Sequence, residues 1–223
     1  MLETKFQSKI RQCKNPECNL RYPVTEIKFD QETCPGCGYP APISALFPES
    51  STNNYENFNS GKQLEVVLEN LRSVFNVGSI FRTSDGTGIV SQLHLCGITS
   101  TPNNTRMKKT SLGAENSIPW KYHTNAYTLC KQLKNNGKTL CAVETTQKAK
   151  SIYTISKEFF LSNDIVLIFG NEVAGVDPDI LALCPYHIDI PMLGIKESLN
   201  VAIAASIILY HAQFLQNAKE FAK

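Results

Sequence analysis

From Leu64 onward the chain alternates short apolar runs with helical patterns, and that alternation limits what it can fold into. The runs Leu64–Leu68, Gln92–Cys96, Thr139–Val143, Ile165–Phe169 and Tyr186–Ile190 read as strands. Several are apolar at consecutive positions, as parallel strands covered on both faces are. Between them, Gly78–Gly86, Ala126–Asn135, Pro178–Leu183 and Leu199–Gln216 read as helices. Thr124 stands where the second of these needs a cap and Gly137 where it needs a stop. Asp177-Pro178 gives the third an N-cap followed by proline in the first turn. The pattern predicts an α/β domain on a mainly parallel sheet with helices on both faces.

In open sheets of this kind, ligands bind beyond the carboxyl ends of the strands. Three segments put polar or backbone-exposing residues there. They are Asn76-Val-Gly-Ser-Ile-Phe-Arg82, Gly170-Asn-Glu172-Val-Ala-Gly175, and Ile190-Pro-Met192-Leu-Gly194 with Ser198-Leu199-Asn200. Each has a plain structural reading: a capping asparagine beside a solvated arginine, a loop with an outward glutamate, a Ser-capped core helix. Arg106-Met-Lys108-Lys109 carries three cations, either a solvated helix face or a surface for phosphates. No Gly-x-Gly-x-x-Gly follows the first strand and no Gly-Lys-Ser/Thr loop occurs, so neither a dinucleotide fold nor a P-loop is supported.

Upstream, the chain has a different character. Cys13, Cys18, Cys34 and Cys37 fall as Cys-x4-Cys, fifteen residues, then Cys-x2-Cys. Two close cysteine pairs supply the four tetrahedral ligands of a structural Zn2+ site. Residues 1–45 are too few to fold on apolar burial, which a metal staple explains; two disulfides or free thiols are the other reading. Such a site would make residues 1–45 a small zinc ribbon, structural in role, with Arg11, Lys14, Arg21 and Tyr22 as its candidate nucleic-acid contacts. Residues 46–61 are polar and read as a linker, leaving 62–223 as the main domain. The formal net charge of +2 in 223 residues makes any nucleic-acid surface a local patch. No run reaches the roughly 20 apolar residues of a membrane span, and the N-terminus lacks a signal-peptide pattern, so a cytoplasmic protein is expected. Four further cysteines scattered singly through core elements suit that reducing compartment.

Taken together, the three segments resemble the signature motifs of the SPOUT superfamily, specifically its SpoU-type (TrmH-like) RNA 2′-O-ribose methyltransferases, over about residues 62–217. The resemblance implies S-adenosylmethionine as methyl donor, tRNA or rRNA as substrate, a homodimer, no membrane association, and a deep C-terminal trefoil knot. It implies an active site of Asn76, Arg82, Glu172, Ser198 and Asn200, with Arg82 essential and Glu172 beside the substrate nucleotide. It implies a cofactor site of Thr145, Gly170, Ile190, Met192, Gly194 and Leu199, and RNA contacts at Arg106, Lys108 and Lys109. A guanidinium has a pKa above ~12, so Arg82 fits an electrostatic clamp on phosphate and developing alkoxide better than a base. The sequence leaves open a silent RNA-binding relative, a base methyltransferase, and the identity of the modified nucleotide.

Overall fold

The computed structural model describes residues 8–26, 30–47, 64–162 and 164–217. The chain divides into two compact units, 1–56 and 57–223. Most of the expected linker lies outside the described residues.

The first unit is a three-stranded antiparallel sheet of β1 (Lys9–Gln12), β2 (Arg21–Val24) and β3 (Ile43–Leu46), in the order β2-β1-β3. Its apolar interior is slight, with Cys13, Cys34 and Ala41 as the buried cluster. Arg11 does not face outward as the sequence suggested. It is buried, donating to Asp30 Oδ1 at 2.7 and 2.9 Å and to the Ala41 carbonyl at 2.7 Å. An arginine in so small an interior needs that pairing, so its work is structural. Tyr22 donates to the Thr33 carbonyl, while Lys14 and Arg21 stay at the surface.

The second unit contains β4 (Leu64–Glu69), α1 (Val74–Thr87), β5 (Val90–Cys96), α2 (Lys108–Ser111), β6 (Trp120–His123), α3 (Ala126–Asn135) and β7 (Thr139–Val143). It continues through β8 (Lys150–Ser151), α4 (Lys157–Ser162), β9 (Ile165–Phe169), α5 (Pro178–Leu183), β10 (Tyr186–Asp189) and α6 (Val201–Asn217). The seven strands run β6-β5-β4-β9-β7-β10-β8, all neighbouring pairs parallel. Alternate residues of β9 explain its unbroken apolar run. Ile165, Leu167 and Phe169 join the core with α1 and α6, and Val166 and Ile168 join the one with α3 and α5. The expected sheet covered on both faces is therefore present.

Local differences from the sequence reading have simple causes. The N-cap of α3 is Asn125, whose Oδ1 accepts from the Thr128 N–H at 2.8 Å, so Thr124 lies one residue outside. Helix α1 starts at Val74 behind Ser73, four residues before the Gly78 start read from the sequence, so Gly78 lies inside it. A Cβ at Gly78 would lie 2.2 Å from Thr110 Oγ1 and 2.9 Å from the Met107 carbonyl. Glycine there lets the 105–111 segment press onto the helix. Strand β6 escaped notice because Lys121 and Tyr122, exposed on a sheet edge, break any apolar run.

Two acids interrupt the β4 core face, and each has partners. Glu69 accepts from the Asp177 N–H at 3.1 Å. Glu65 meets His94 Nε2 at 2.8 Å and Lys138 Nζ at 2.9 Å. The hydrogen bond from His94, helped by Lys138 and opposed by burial, pushes the Glu65 carboxyl down to about 2. A folded value below the unfolded one stabilises the fold above the unfolded pKa of ~4.3, and that contribution is lost as pH falls toward 2. Glu65→Gln is expected to cost up to about 3 kcal/mol at neutral pH and almost nothing near pH 2. Thermal melts of both proteins across that range check it; a pH-independent difference defeats the assignment.

Candidate active site and cofactor cavity

A cavity of about 280 Å³ opens at the carboxyl ends of β7, β9 and β10. Five of the six expected cofactor residues line it: Thr145, Gly170, Ile190, Met192 and Leu199. Gly194 does not; it is exposed, with open space where a side chain would go. Of the expected catalytic set, Glu172, Ser198 and Asn200 line the cavity, and Asn76 and Arg82 do not.

Asn76 is nonetheless tied to the cavity wall. It stands in the first turn of α1, and its Nδ2 donates to Glu172 Oε1 at 2.9 Å. Its Oδ1 accepts from Asn200 Nδ2 at 3.1 Å. Asn200, rather than Ser198, caps α6, its Oδ1 accepting from the N–H groups of Ala202 at 2.9 Å and Ile203 at 3.4 Å. One hydrogen-bonded chain, Glu172–Asn76–Asn200, thus joins all three sequence motifs. Helices α1 and α6 are also tied by Thr83 Oγ1 and Ser206 Oγ at 2.8 Å, and by Gln213 Nε2 donating to the Thr87 carbonyl at 2.8 Å.

Glu172 is fully engaged. Oε2 accepts from the Arg72 N–H at 2.8 Å, and Oε1 from the Ser73 N–H at 3.1 Å besides Asn76. The carboxylate sits at the positive end of α1, where an anion is favoured. Burial would raise its pKa, but the Arg72 N–H and the Asn76 amide lead the hydrogen bonds that hold it below the ordinary value. A carboxylate so held is a weak base and a firm anchor.

The Gly170–Gly175 loop closes tightly on itself. Asn171 and Gly175 exchange N–H···O bonds of 3.0 and 2.9 Å, and Gly175 takes φ +76°. A Cβ at Gly170 would lie 2.3 Å from Gly175 C and Val176 N. Glycine at 170 is therefore demanded by the chain's own backbone. Glu144, which the sequence reading passed over, fixes the loop from below, its Oε2 accepting from the Val176 N–H at 3.0 Å. An acid directly after the apolar run Thr139–Val143 was the signal that could have found it.

Arg82 lies six residues beyond Asn76 on α1, about 9 Å along the axis and about 120° around it. It is exposed, and its side chain has no hydrogen bond or ion pair with the described residues. Arg106, Lys108 and Lys109 are also exposed, on the segment packed over Gly78. In the first unit, the sulfurs of Cys13, Cys18, Cys34 and Cys37 all lie within 4.8 Å of one another. The separations Cys13–Cys37 and Cys18–Cys34 are 3.4 and 3.8 Å, far beyond the roughly 2.05 Å of a disulfide. A group of this kind could hold a metal ion.

Known proteins share much of this chain. A tRNA (guanosine(18)-2′-O)-methyltransferase of Thermus thermophilus is 32% identical over 150 residues, 67% of this chain and 74% of that one. The crystal structure of the A. aeolicus TrmH/SpoU tRNA modifying enzyme superposes with a TM-score of 0.62 at 28% identity, covering 71% of this chain and 78% of that one. An AdoMet-bound rRNA methyltransferase from Sinorhizobium meliloti gives 0.62 at 28% identity, covering 68% and 56%. Residues 63–210, which hold the cavity and every member of the Glu172–Asn76–Asn200 chain, match the model of the SpoU rRNA Methylase family, and to that family the chain belongs.

Proposed function

We propose that the chain is an S-adenosylmethionine-dependent RNA methyltransferase that acts on a ribose 2′-hydroxyl of tRNA or rRNA. The observation that carries this reading is the Glu172–Asn76–Asn200 chain at the wall of the cavity, built from residues 96 and 124 positions apart. The cavity fits the methyl donor in size and lining. Its volume is near the lower end of small-ligand sites, about 300–1,000 Å³. Val143, Phe169, Ile190 and Leu199 offer an apolar wall, with Thr145 and Ser198 as polar groups beside it. S-adenosylmethionine, when bound, supplies an electrophilic methyl group.

The protein's own residues then have separable tasks. Glu172 holds Asn76 and the start of α1 in place, and the paired amides of Asn76 and Asn200 orient what sits beyond the cavity mouth. Arg82, exposed and lacking a partner among the described residues, is available for a phosphate and for the charge that develops on the ribose oxygen. Arg106, Lys108 and Lys109 extend the cationic surface, which makes binding salt-sensitive. The related tRNA enzymes make tRNA the first substrate to test.

Further parts of the reading concern assembly. Zn2+ fits the four-cysteine group, since Zn–S bonds of ~2.3 Å put tetrahedral sulfurs about 3.8 Å apart. Ile203, Tyr210 and Phe214 leave an apolar stripe on α6, half-exposed at 50–52%, which supports a homodimer through that helix. The chain order around β7, β10 and β8 is compatible with the knot of this family. No helix among the described residues is long and apolar enough to cross a membrane. All eight cysteines are free of disulfides, which supports a reducing, cytoplasmic compartment.

The test is methyl transfer from labelled S-adenosylmethionine to RNA from cells lacking the modification, followed by nucleoside digestion. Label is expected in a 2′-O-methylnucleoside. Arg82→Ala should lose about 100-fold in rate, and Arg82→Lys should recover only part of it. Label on a base overturns the ribose assignment; none at all overturns the enzyme.

A further inference from the structure

The charge of the cavity is one-sided. Its lining includes the carboxylates of Glu144, Glu172, Asp189 and Glu197 and, among the described residues, no lysine, arginine or histidine. These acids are not equivalent. Glu172 is committed to Asn76 and to the backbone of Arg72 and Ser73, and Glu197 is exposed on its loop. Glu144 is half-buried at the end of β7 and cannot swing away. Its Oε2 accepts from the Val176 N–H at 3.0 Å and its Oε1 from the Thr145 N–H at 3.1 Å. The loop is closed over it so tightly that a Cβ at Gly175 would come within 2.6 Å of Oε2.

We propose that Glu144 lets this cavity tell the methyl donor from its spent product by charge, favouring retention of the first and release of the second. The inference rests on the cofactor assignment above. S-adenosylmethionine carries a sulfonium, and S-adenosylhomocysteine carries a neutral thioether; they differ by one methyl group and one positive charge. Shape also separates them, one methyl in an apolar pocket being worth about 10- to 200-fold, but that difference responds neither to salt nor to the loss of a carboxylate. A fixed negative charge acts on the sulfonium and leaves the thioether almost untouched. The two N–H bonds to Glu144 hold the charge in place without cancelling it. Release of product, rather than transfer, is the step such a device serves.

Equilibrium calorimetry of the full chain with each nucleoside, without RNA, reads this directly. In Glu144→Gln the side chain keeps its shape and an oxygen for the Val176 N–H, and gives up only the bond from the Thr145 N–H. Its Kd for S-adenosylmethionine is expected to rise about tenfold, with that for S-adenosylhomocysteine changing less than about twofold. Asp189→Asn, at a position that ties down no backbone N–H among the described residues, should move the same ratio in the same direction. The wild-type ratio should also narrow as salt rises from about 50 to 500 mM. Equal weakening of both ligands in Glu144→Gln would mean the residue only props the loop, and the proposal falls. A ratio unmoved by either variant and by salt also sinks it. If the wild type binds neither nucleoside, the cofactor assignment itself fails and takes this inference with it.

Discussion

Gly170→Ala is expected to abolish measurable cofactor binding while leaving most of the fold standing. The added methyl would lie 2.3 Å from Gly175 C and Val176 N and 2.4 Å from the Gly175 carbonyl oxygen, all backbone atoms that cannot rotate aside. Relief requires moving the 170–176 loop by about 1 Å, since non-bonded carbon atoms settle near 3.5–4.0 Å. That loop carries Glu172, so its movement strains the bonds to Arg72, Ser73 and Asn76, and through Asn76 the cap of α6. Overpacking of this kind costs about 1–3 kcal/mol, and hydrogen bonds to a charged group are worth about 1.5–3 kcal/mol each. The expected result is a melting temperature lower by several degrees and affinity for S-adenosylmethionine reduced at least 100-fold. Gly194→Ala is the control, because nothing lies within 4 Å of its Cβ position and its backbone is not in the left-handed region. It should bind as the wild type does. If Gly170→Ala also binds normally, the loop is not the rigid element its contacts describe.

That contrast shows how far the sequence could be read. Both glycines stand in recognisable motifs, and both looked like places where backbone meets cofactor. Only the fold separates them: Gly170 is pinned by residues five and six positions ahead through a hairpin that no local rule announces, while a Cβ at Gly194 would meet open space. Elements whose information is local were readable. The run Ile165–Phe169 is a strand over those residues, and Asp177 caps a helix from Pro178 with its side chain accepting from the Asp179 N–H at 2.8 Å. Elements fixed by distant neighbours were not. Gly78 sits inside α1 because Thr110 needs the space, and Asn200 displaces Ser198 as the α6 cap because its amide also reaches Asn76. Glu144 had a usable signal but no motif around it, and its role depends on Val176, 32 positions away.

Removing metal from the four-cysteine group should unfold the three-stranded sheet of the first unit and leave the methylase unit folded. The first unit has too little apolar interior to stand without it: its buried cluster consists of two of the four cysteines and Ala41. Held by a metal, the four sulfurs cross-link the two turns that carry them; released, they leave only that slight cluster to hold the sheet. Apparent binding free energies for structural Zn2+ are about 10–16 kcal/mol, more than a sheet this small supplies by burial. The Arg11–Asp30 pair makes the case stronger, since Arg11 is buried and its partly buried partner must be held in place to compensate the charge. One zinc per chain is expected by elemental analysis. Chelation or Cys34→Ser should erase the amide signals of β1, β2 and β3 and spare those of the second unit, whose core clusters contain none of their residues. Affinity for S-adenosylmethionine should be unchanged, because the described residues that line the cavity all belong to the second unit. Methylation of RNA should fall if the ribbon helps hold the substrate through surface groups such as Lys14 and Arg21. Undiminished methylation after chelation would confine the ribbon to a structural part. A ribbon that stays folded in chelator, with no metal found, would mean that the sheet alone carries it.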